Sequence, residues 1–251
     1  MEIYIIVTFF TFIITAMLGM FILPILRKLK VGQTIRDDGP QTHLKKQGTP
    51  TMGGIIIEIS IIIGTTLIYL YLAKGNNQIQ RIFPLLLVTT GFGLIGFIDD
   101  FKKLVLKDTK GLKPSYKMIG LLVISVAYVL YLTQIIKNGT ELLIPFLNQQ
   151  IILPIWIYIP FAIFILLGTT NAVNLTDGID GLSSTVVTVI ITFFMVVGIQ
   201  LGLMEVSMFA SILIGACLGF LIFNLHPAKM FMGDTGALLL GRKYISNRFI
   251  F

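Results

Sequence analysis

Two adjacent carboxylates, Asp99 and Asp100, close an apolar run in the segment GFIDDFKK, and Lys102 and Lys103 follow at once. Neighbouring aspartates repel each other, so a metal ion or a lysine has to compensate them. Charge at a membrane boundary is costly unless it is paired or hydrated. A solvated helix end with ordinary ion pairs would give the same pattern. A second segment, NAVNLTDGIDGL, sets Asn171, Asn174, Asp177 and Asp180 at every third position. If a helix begins there, that spacing puts neighbours on one face, and Gly178 and Gly181 allow close approach of a ligand or backbone. Helix capping alone would leave these four amides and carboxylates unexplained. The segment is not an EF-hand loop, which needs more oxygen ligands and a late Glu.

Two further segments carry polar groups. In FNLHPAKMFMGDTG, Asp234 sits between Gly233 and Thr235, a turn that would present one carboxylate at the edge of a membrane cavity. Asn224, His226 and Lys229 share the stretch, and His226, just before Pro227, reads as a plain loop residue sooner than as a ligand. In DDGPQTHLKKQGTPTMGG, residues 37–54, the Gly and Pro content implies tight turns. Lys46 and Thr51 there could contact a phosphate or a base, or the loop could simply touch lipid headgroups. The inventory is oxygen ligands, lysines and glycines. Cys/His spacing suited to zinc is absent, as are a Walker A lysine motif and a readable Ser–His–Asp pattern. Clustered aspartates with lysines suit Mg²⁺ bridging to phosphate oxygens. The residues therefore point to Mg²⁺-assisted phosphate chemistry at a membrane surface.

The elements that position these segments follow from composition. Of 251 residues, 55% are hydrophobic and 12% charged, against roughly 25% charged in a soluble domain. Seven apolar stretches approach the about 20 residues that a helix needs to cross a bilayer: roughly 3–26, 53–73, 82–98, 118–136, 152–170, 183–204 and 207–223. They are long and show no alternation, so helices are expected and not barrel strands. Alternating the loops places thirteen lysines and arginines on one side and three on the other, which orients the N-terminus outside and the polar segments in the cytoplasm. The expected fold is thus all-α: a polytopic membrane protein with about seven complete spans. The first run has no basic flank before it and is too long for a cleaved signal peptide. The net charge of +7 fits orientation, anionic lipids or anionic substrates better than nucleic acid. The single cysteine, Cys217, lies in an apolar run and reads as a small buried hydrophobe. Gly198 with Gly202, and Gly215 with Gly219, read as close helix packing.

The four segments, in this order, resemble the bacterial phospho-N-acetylmuramoyl-pentapeptide transferases, members of the polyprenyl-phosphate N-acetylhexosamine-1-phosphate transferases. GTPTMGG (48–54) and NLHPAKMFMGDTG are specific to that family, whereas IDDFKK and NAVNLTDGIDGL are shared more widely across the superfamily. The resemblance runs from about residue 1 to about residue 241. It implies transfer of phospho-MurNAc-pentapeptide from UDP-MurNAc-pentapeptide to undecaprenyl phosphate, giving lipid I and UMP at the cytoplasmic face of the bacterial plasma membrane. It implies Mg²⁺ as cofactor. Asp99, Asp100 and Asp234 match the family's essential aspartates, and Asp234 matches the magnesium ligand, with Asp99 and Asp100 as further candidates. Lys46, Thr51, Asn174, Asp177, Asp180, Asn224 and Phe231 match positions lining the nucleotide-sugar site, and Asp180 the uracil-facing one. Lys103 and Lys117 match lysines that face the phosphates. Asn171, from the three-residue spacing, joins the substrate-binding set.

Two alternatives are weighed. A GlcNAc-1-phosphate transferase shares the superfamily motifs, but GTPTMGG speaks against it. An ion-coupled transporter would use intramembrane acids such as Glu58, but the other acids lie in loops. Membrane lipids are expected partners, and a homodimer is left open. After Gly241 the family continues through further helices and a histidine-rich loop, whereas this chain reads GRKYISNRFIF. The expectation is one membrane domain over 1–241, an aberrant tail over 242–251, an incomplete site and no activity of this chain by itself.

Overall fold

The computed structural model describes residues 2–29, 48–72, 81–106, 108, 111–135, 140–144, 149–241, 245–246 and 249–250. Seven helices in them are long and apolar enough to cross a membrane: α1 (Glu2–Lys28), α2 (Gly54–Leu72), α3 (Ile82–Leu104), α4 (Pro114–Leu130, prolonged by a π turn over Tyr131–Ile135), α5 (Ile155–Thr176), α6 (Leu182–Gln200) and α7 (Met204–Asn224). The chain is a multi-pass membrane protein. A short eighth helix, α8 (Gly233–Leu240), follows. Among the described residues, strands are confined to a hairpin between α4 and α5, β1 (Glu141–Ile144) with β2 (Gln149–Ile152), and a two-residue pair, β3 (Ile245–Ser246) with β4 (Phe249–Ile250).

Lipid offers no hydrophobic drive between helices, so small residues that admit close contact decide the packing. α7 is the central post and is buried along nearly its whole length. A β-carbon at Gly215 would overlap the Thr8 carbonyl, and one at Gly219 would press on Thr15 and the Phe12 carbonyl, so α1 lies tight against α7. The threonine hydroxyls that this contact buries turn back onto their own helix: Thr11 donates to Val7 O at 2.9 Å and Thr15 to Thr11 O at 2.8 Å. Cys217 is fully buried in α7. Gly198 packs against Ser207, but Gly202 has open space around it and a φ of +69°, so it shapes the turn between α6 and α7 and does not pack helices as expected.

Two of the expected span ends need correction. α3 runs to Leu104, not 98, so Asp99, Asp100 and Lys103 stand on a helix. α5 runs to Thr176, not 170, so the Asn171 segment ends a helix and does not begin one. Asn171 and Asn174 ride its last turns, Asp177 is its C-cap, and Asp180 lies in the turn beyond.

Candidate active site

The site forms at the end of the bundle where α2, α4, α6 and α8 begin and α3, α5 and α7 finish. Helix α8 is placed there by backbone. A β-carbon at Gly54, the first residue of α2, would overlap Gly236, and one at Gly96 on α3 would overlap the Asp234 carbonyl. Only residues without a side chain admit α8 into this wedge. The GTPTMGG segment is laced to the strand-like stretch before α8: Phe231 N–H donates to Pro50 O at 2.8 Å, Gly53 N–H to Phe231 O at 2.9 Å and Gly54 N–H to Met232 O at 2.8 Å. Gly233 then turns the chain into α8 at φ +74°, a conformation that glycine adopts without strain.

Asp99 and Asp100, adjacent in sequence, do different work. Asp100 is 4% exposed. Its carboxylate accepts from Thr235 Oγ1 at 2.7 Å, Thr235 N–H at 2.9 Å and Asp234 N–H at 3.2 Å. It is thus a cap for α8 supplied by another helix, and it satisfies donors that every helix start leaves open. Asp99 points the other way, into an ion cluster. Lys103 Nζ bridges Asp99 Oδ2 at 2.7 Å and Asp234 Oδ2 at 2.9 Å. Lys117 Nζ lies 3.1 Å from Asp234 Oδ2 and 3.6 Å from Asp99 Oδ2. Just before α4, Leu112 N–H donates to Asp99 Oδ1 at 2.7 Å. Burial would raise the Asp234 carboxyl, but the Lys117 and Lys103 ammonium groups beside it help to outweigh burial and hold the group ionised, below the usual carboxylate range.

The remaining residues line a seam between the α5–α6 turn and the stretch from 224 to 233. The Asp177 carboxylate accepts from Gly233 N–H. Burial, then the charges of Asp234 and Asp100, still push this carboxyl up to about 7. Asp180, its side chain only 3% exposed, accepts on Oδ2 from Ala228 N–H at 3.2 Å and pairs with His226 Nδ1 at 3.0 Å. Asn224 is buried and spent inside the fold: Oδ1 accepts from Gly181 N–H at 3.1 Å, and Nδ2 donates to Met230 O at 3.0 Å. Thr51 is buried against Gly233, and Phe231 serves the backbone ladder. Asn171 donates to Leu167 O at 2.7 Å along its own helix. Asn174 is half-buried, with no hydrogen bond to another described residue. Lys46 lies outside the described residues.

The structure therefore brings Asp99, Lys103, Lys117 and Asp234 into one cluster and sets Asp177 and Asp180 along the adjoining seam. Asp100 and Asn224 make their hydrogen bonds within the fold, at the start of α8 and between the α5–α6 turn and Met230. Sequence reasoning left His226 without a role. Its only signal was a place in the loop, because the partner Asp180 is 46 residues away.

Oxygen donors beside lysines at one end of a bundle of membrane-spanning helices suit the membrane-embedded glycosyl transferase class, and residues 82–246 match the model of glycosyl transferase family 4. Residues 46–57 match signature 1 of the phospho-N-acetylmuramoyl-pentapeptide-transferases. The chain is 46% identical to the enzyme of that name from Acetivibrio thermocellus, over 92% of this chain and 68% of the relative. It is 48% identical to that of Clostridium botulinum (strain Alaska E43 / Type E3), over 92% and 68%, and 45% identical to that of Halalkalibacterium halodurans, over 92% and 70%. The chain belongs to the phospho-N-acetylmuramoyl-pentapeptide-transferase family.

Proposed function

We propose that this chain transfers phospho-MurNAc-pentapeptide from UDP-MurNAc-pentapeptide to undecaprenyl phosphate at the cytoplasmic face of the bacterial plasma membrane, forming lipid I and releasing UMP. The observation that carries this reading is the pair of lysines held between Asp99 and Asp234. Donor diphosphate and acceptor phosphate are both anionic, and their repulsion opposes reaction. Lys103, with a side chain 38% exposed, and Lys117, at 17%, put two ammonium groups where those anions would meet. The positive-inside bias of the loops supports the cytoplasmic side.

The donor set also suits magnesium. Mg²⁺ takes one or two carboxylates and fills its remaining positions with water and substrate phosphate oxygens. Asp234, held ionised, and Asp99 beside it would hold the ion. When bound, it would neutralise charge on the phosphates and on the departing UMP. An acceptor phosphate with a second pKa near ~6 is already mostly dianionic at neutral pH, so Asp99 is not required as a base. It aligns Lys103 and Lys117 instead. An acceptor oxygen attacks the sugar-side phosphorus, and the bond from that phosphorus to the bridging oxygen breaks. Its electron pair leaves with UMP.

The test is conversion of labelled UDP-MurNAc-pentapeptide and undecaprenyl phosphate by purified chain in Mg²⁺, with UDP-GlcNAc as the rival donor. Lipid I and UMP are the products expected on this reading, against the expectation from the tail sequence that the chain is inactive by itself, and Asp234→Asn, which keeps size but loses charge, abolishes them. Transfer from UDP-GlcNAc alone, or undiminished turnover of Asp234→Asn at limiting Mg²⁺, would overturn the assignment.

A further inference from the structure

We propose that the groove between α3 and α4, in the leaflet away from the ion cluster, binds one anionic phospholipid, with an acyl chain in the groove and the phosphate on Arg81. Nearer the ion cluster, glycines let the two helices close: a β-carbon at Gly120 would press on Ile95, and one at Gly91 on Ile124. Further out the glycines stop. Leu87 faces Ala127 and Phe83 faces Tyr131 across a cavity of about 560 Å³, within the roughly 300–1,000 Å³ usual for small-molecule sites. Its lining side chains are apolar apart from the hydroxyls of Tyr128 and Tyr131. Leu87, 69% exposed, and Val123, 60% exposed, form the rims, so the groove opens sideways into lipid. Phe83 is fixed by an edge contact with Tyr69 on α2, ring centroids 4.5 Å apart. Leu87 stands twelve residues before Asp99, roughly 18 Å along the helix, so the groove is separate from the ion cluster.

An apolar groove alone would take any acyl chain; the charge at its end sets the headgroup. Arg81 is the N-cap of α3, two residues before Phe83. It is exposed and has no ion pair or hydrogen bond with another described residue. Tyr131 lines the same end, and its hydroxyl has no hydrogen bond to another described residue. A guanidinium offers a fork of N–H donors that matches a phosphate. A tyrosine at a membrane interface turns its ring to the acyl chains and its hydroxyl to the headgroups. A phosphate at this end meets both groups, and its tail runs between the helices. Phosphatidylcholine has the same phosphate and tails, but its quaternary ammonium is repelled by Arg81. Phosphatidylglycerol carries no such cation, so the groove selects it.

The experiment is native mass spectrometry of the purified chain titrated with dioleoyl phosphatidylglycerol or dioleoyl phosphatidylcholine. The unaltered chain is expected to hold one phosphatidylglycerol about tenfold more tightly than phosphatidylcholine, the worth of one charge-assisted hydrogen bond. Its melting temperature in detergent should rise with the lipid it holds. Arg81→Gln, at an exposed position, should bring phosphatidylglycerol down to the level of phosphatidylcholine. Ala127→Phe fills the groove from another exposed position and should weaken both lipids. Lys113→Gln, exposed at the opposite end of α4, should keep the preference. A preference that survives in Arg81→Gln but falls in Lys113→Gln places the lipid at the lysine end and overturns the proposal. Undiminished binding of both lipids by Ala127→Phe overturns the groove, and equal binding of the two lipids by the unaltered chain overturns the headgroup contact. None of these measurements involves a nucleotide, so their failure leaves the transfer reading untouched.

Discussion

Asp100→Ala is expected to disable the site by displacing α8, without removing a group that touches substrate. The carboxylate accepts three hydrogen bonds, from Thr235 Oγ1, Thr235 N–H and Asp234 N–H. Bonds to a charged group contribute about 1.5–3 kcal/mol each. The three share one acceptor and do not add fully, so a loss of about 4 kcal/mol is expected. At about 2–4 °C per kcal/mol for a chain of this size, the melting temperature in detergent should fall by roughly 10 °C. Asp100→Asn keeps one carbonyl oxygen for the Thr235 amide and should lose about half as much. Asp99→Asn keeps an acceptor for Leu112 N–H and should move the melting temperature less, while transfer drops through misaligned lysines. Thermal unfolding and lipid I formation are measured on the same preparations. An Asp100→Ala protein that melts normally yet transfers nothing would refute the capping argument and make Asp100 a chemical participant.

Three other outcomes are expected. Gly96→Ala drives a methyl group into the Asp234 carbonyl; it should cost about 1–3 kcal/mol and abolish UMP binding, whereas Gly168→Ala, with open space around it, should be tolerated in both assays. Asp177, pushed up to about 7 against an unfolded value near ~3.9, keeps in the fold a proton that the unfolded chain has lost between those pH values. Its contribution to stability is therefore full below pH ~4 and lost as pH rises through ~7, by up to about 4 kcal/mol, and unfolding scans should show Asp177→Asn without this decline. A cysteine placed at exposed Lys113 should resist an impermeant reagent in intact cells and react after permeabilisation, with native Cys217 silent because it is buried; labelling in intact cells would reverse the orientation.

All seven spans were legible because lipid demands an unbroken apolar run, and hydropathy measures that demand directly. Their inner ends were not. A hydropathy window stops at the first charges, yet α3 continues through Asp99, Asp100 and Lys103 because these groups are neutralised by one another and by Asp234, Lys117 and the α8 amides. The same blindness affects roles. Asp99 and Asp100 look equivalent in sequence, but successive helical positions diverge by about a quarter turn, so one carboxylate meets lysines and the other meets a helix end. Asn224 matches a substrate position by motif, but its hydrogen bonds to Gly181 and Met230 inside the fold were not legible. The glycines of TMGG and MGDTG read as loop formers, whereas Gly54 and Gly236 form a helix crossing that only the partner's backbone reveals.

The cluster of two carboxylates and two ammonium groups has a thermodynamic consequence. Asp99, Asp234, Lys103 and Lys117, each in its charged form, sum to no net charge. A divalent cation entering alone displaces lysines from their partners and leaves an excess of positive charge. A diphosphate entering alone draws the lysines off and leaves the carboxylates bare. Entering together, the two restore the balance, with the lysines passed to the phosphate and the carboxylates to the metal. If the site takes metal and nucleotide as proposed, the two are linked ligands, each strengthening the other by the same factor. A coupling of about 1–3 kcal/mol would make the occupied states of the site mostly two, with both ligands or with neither.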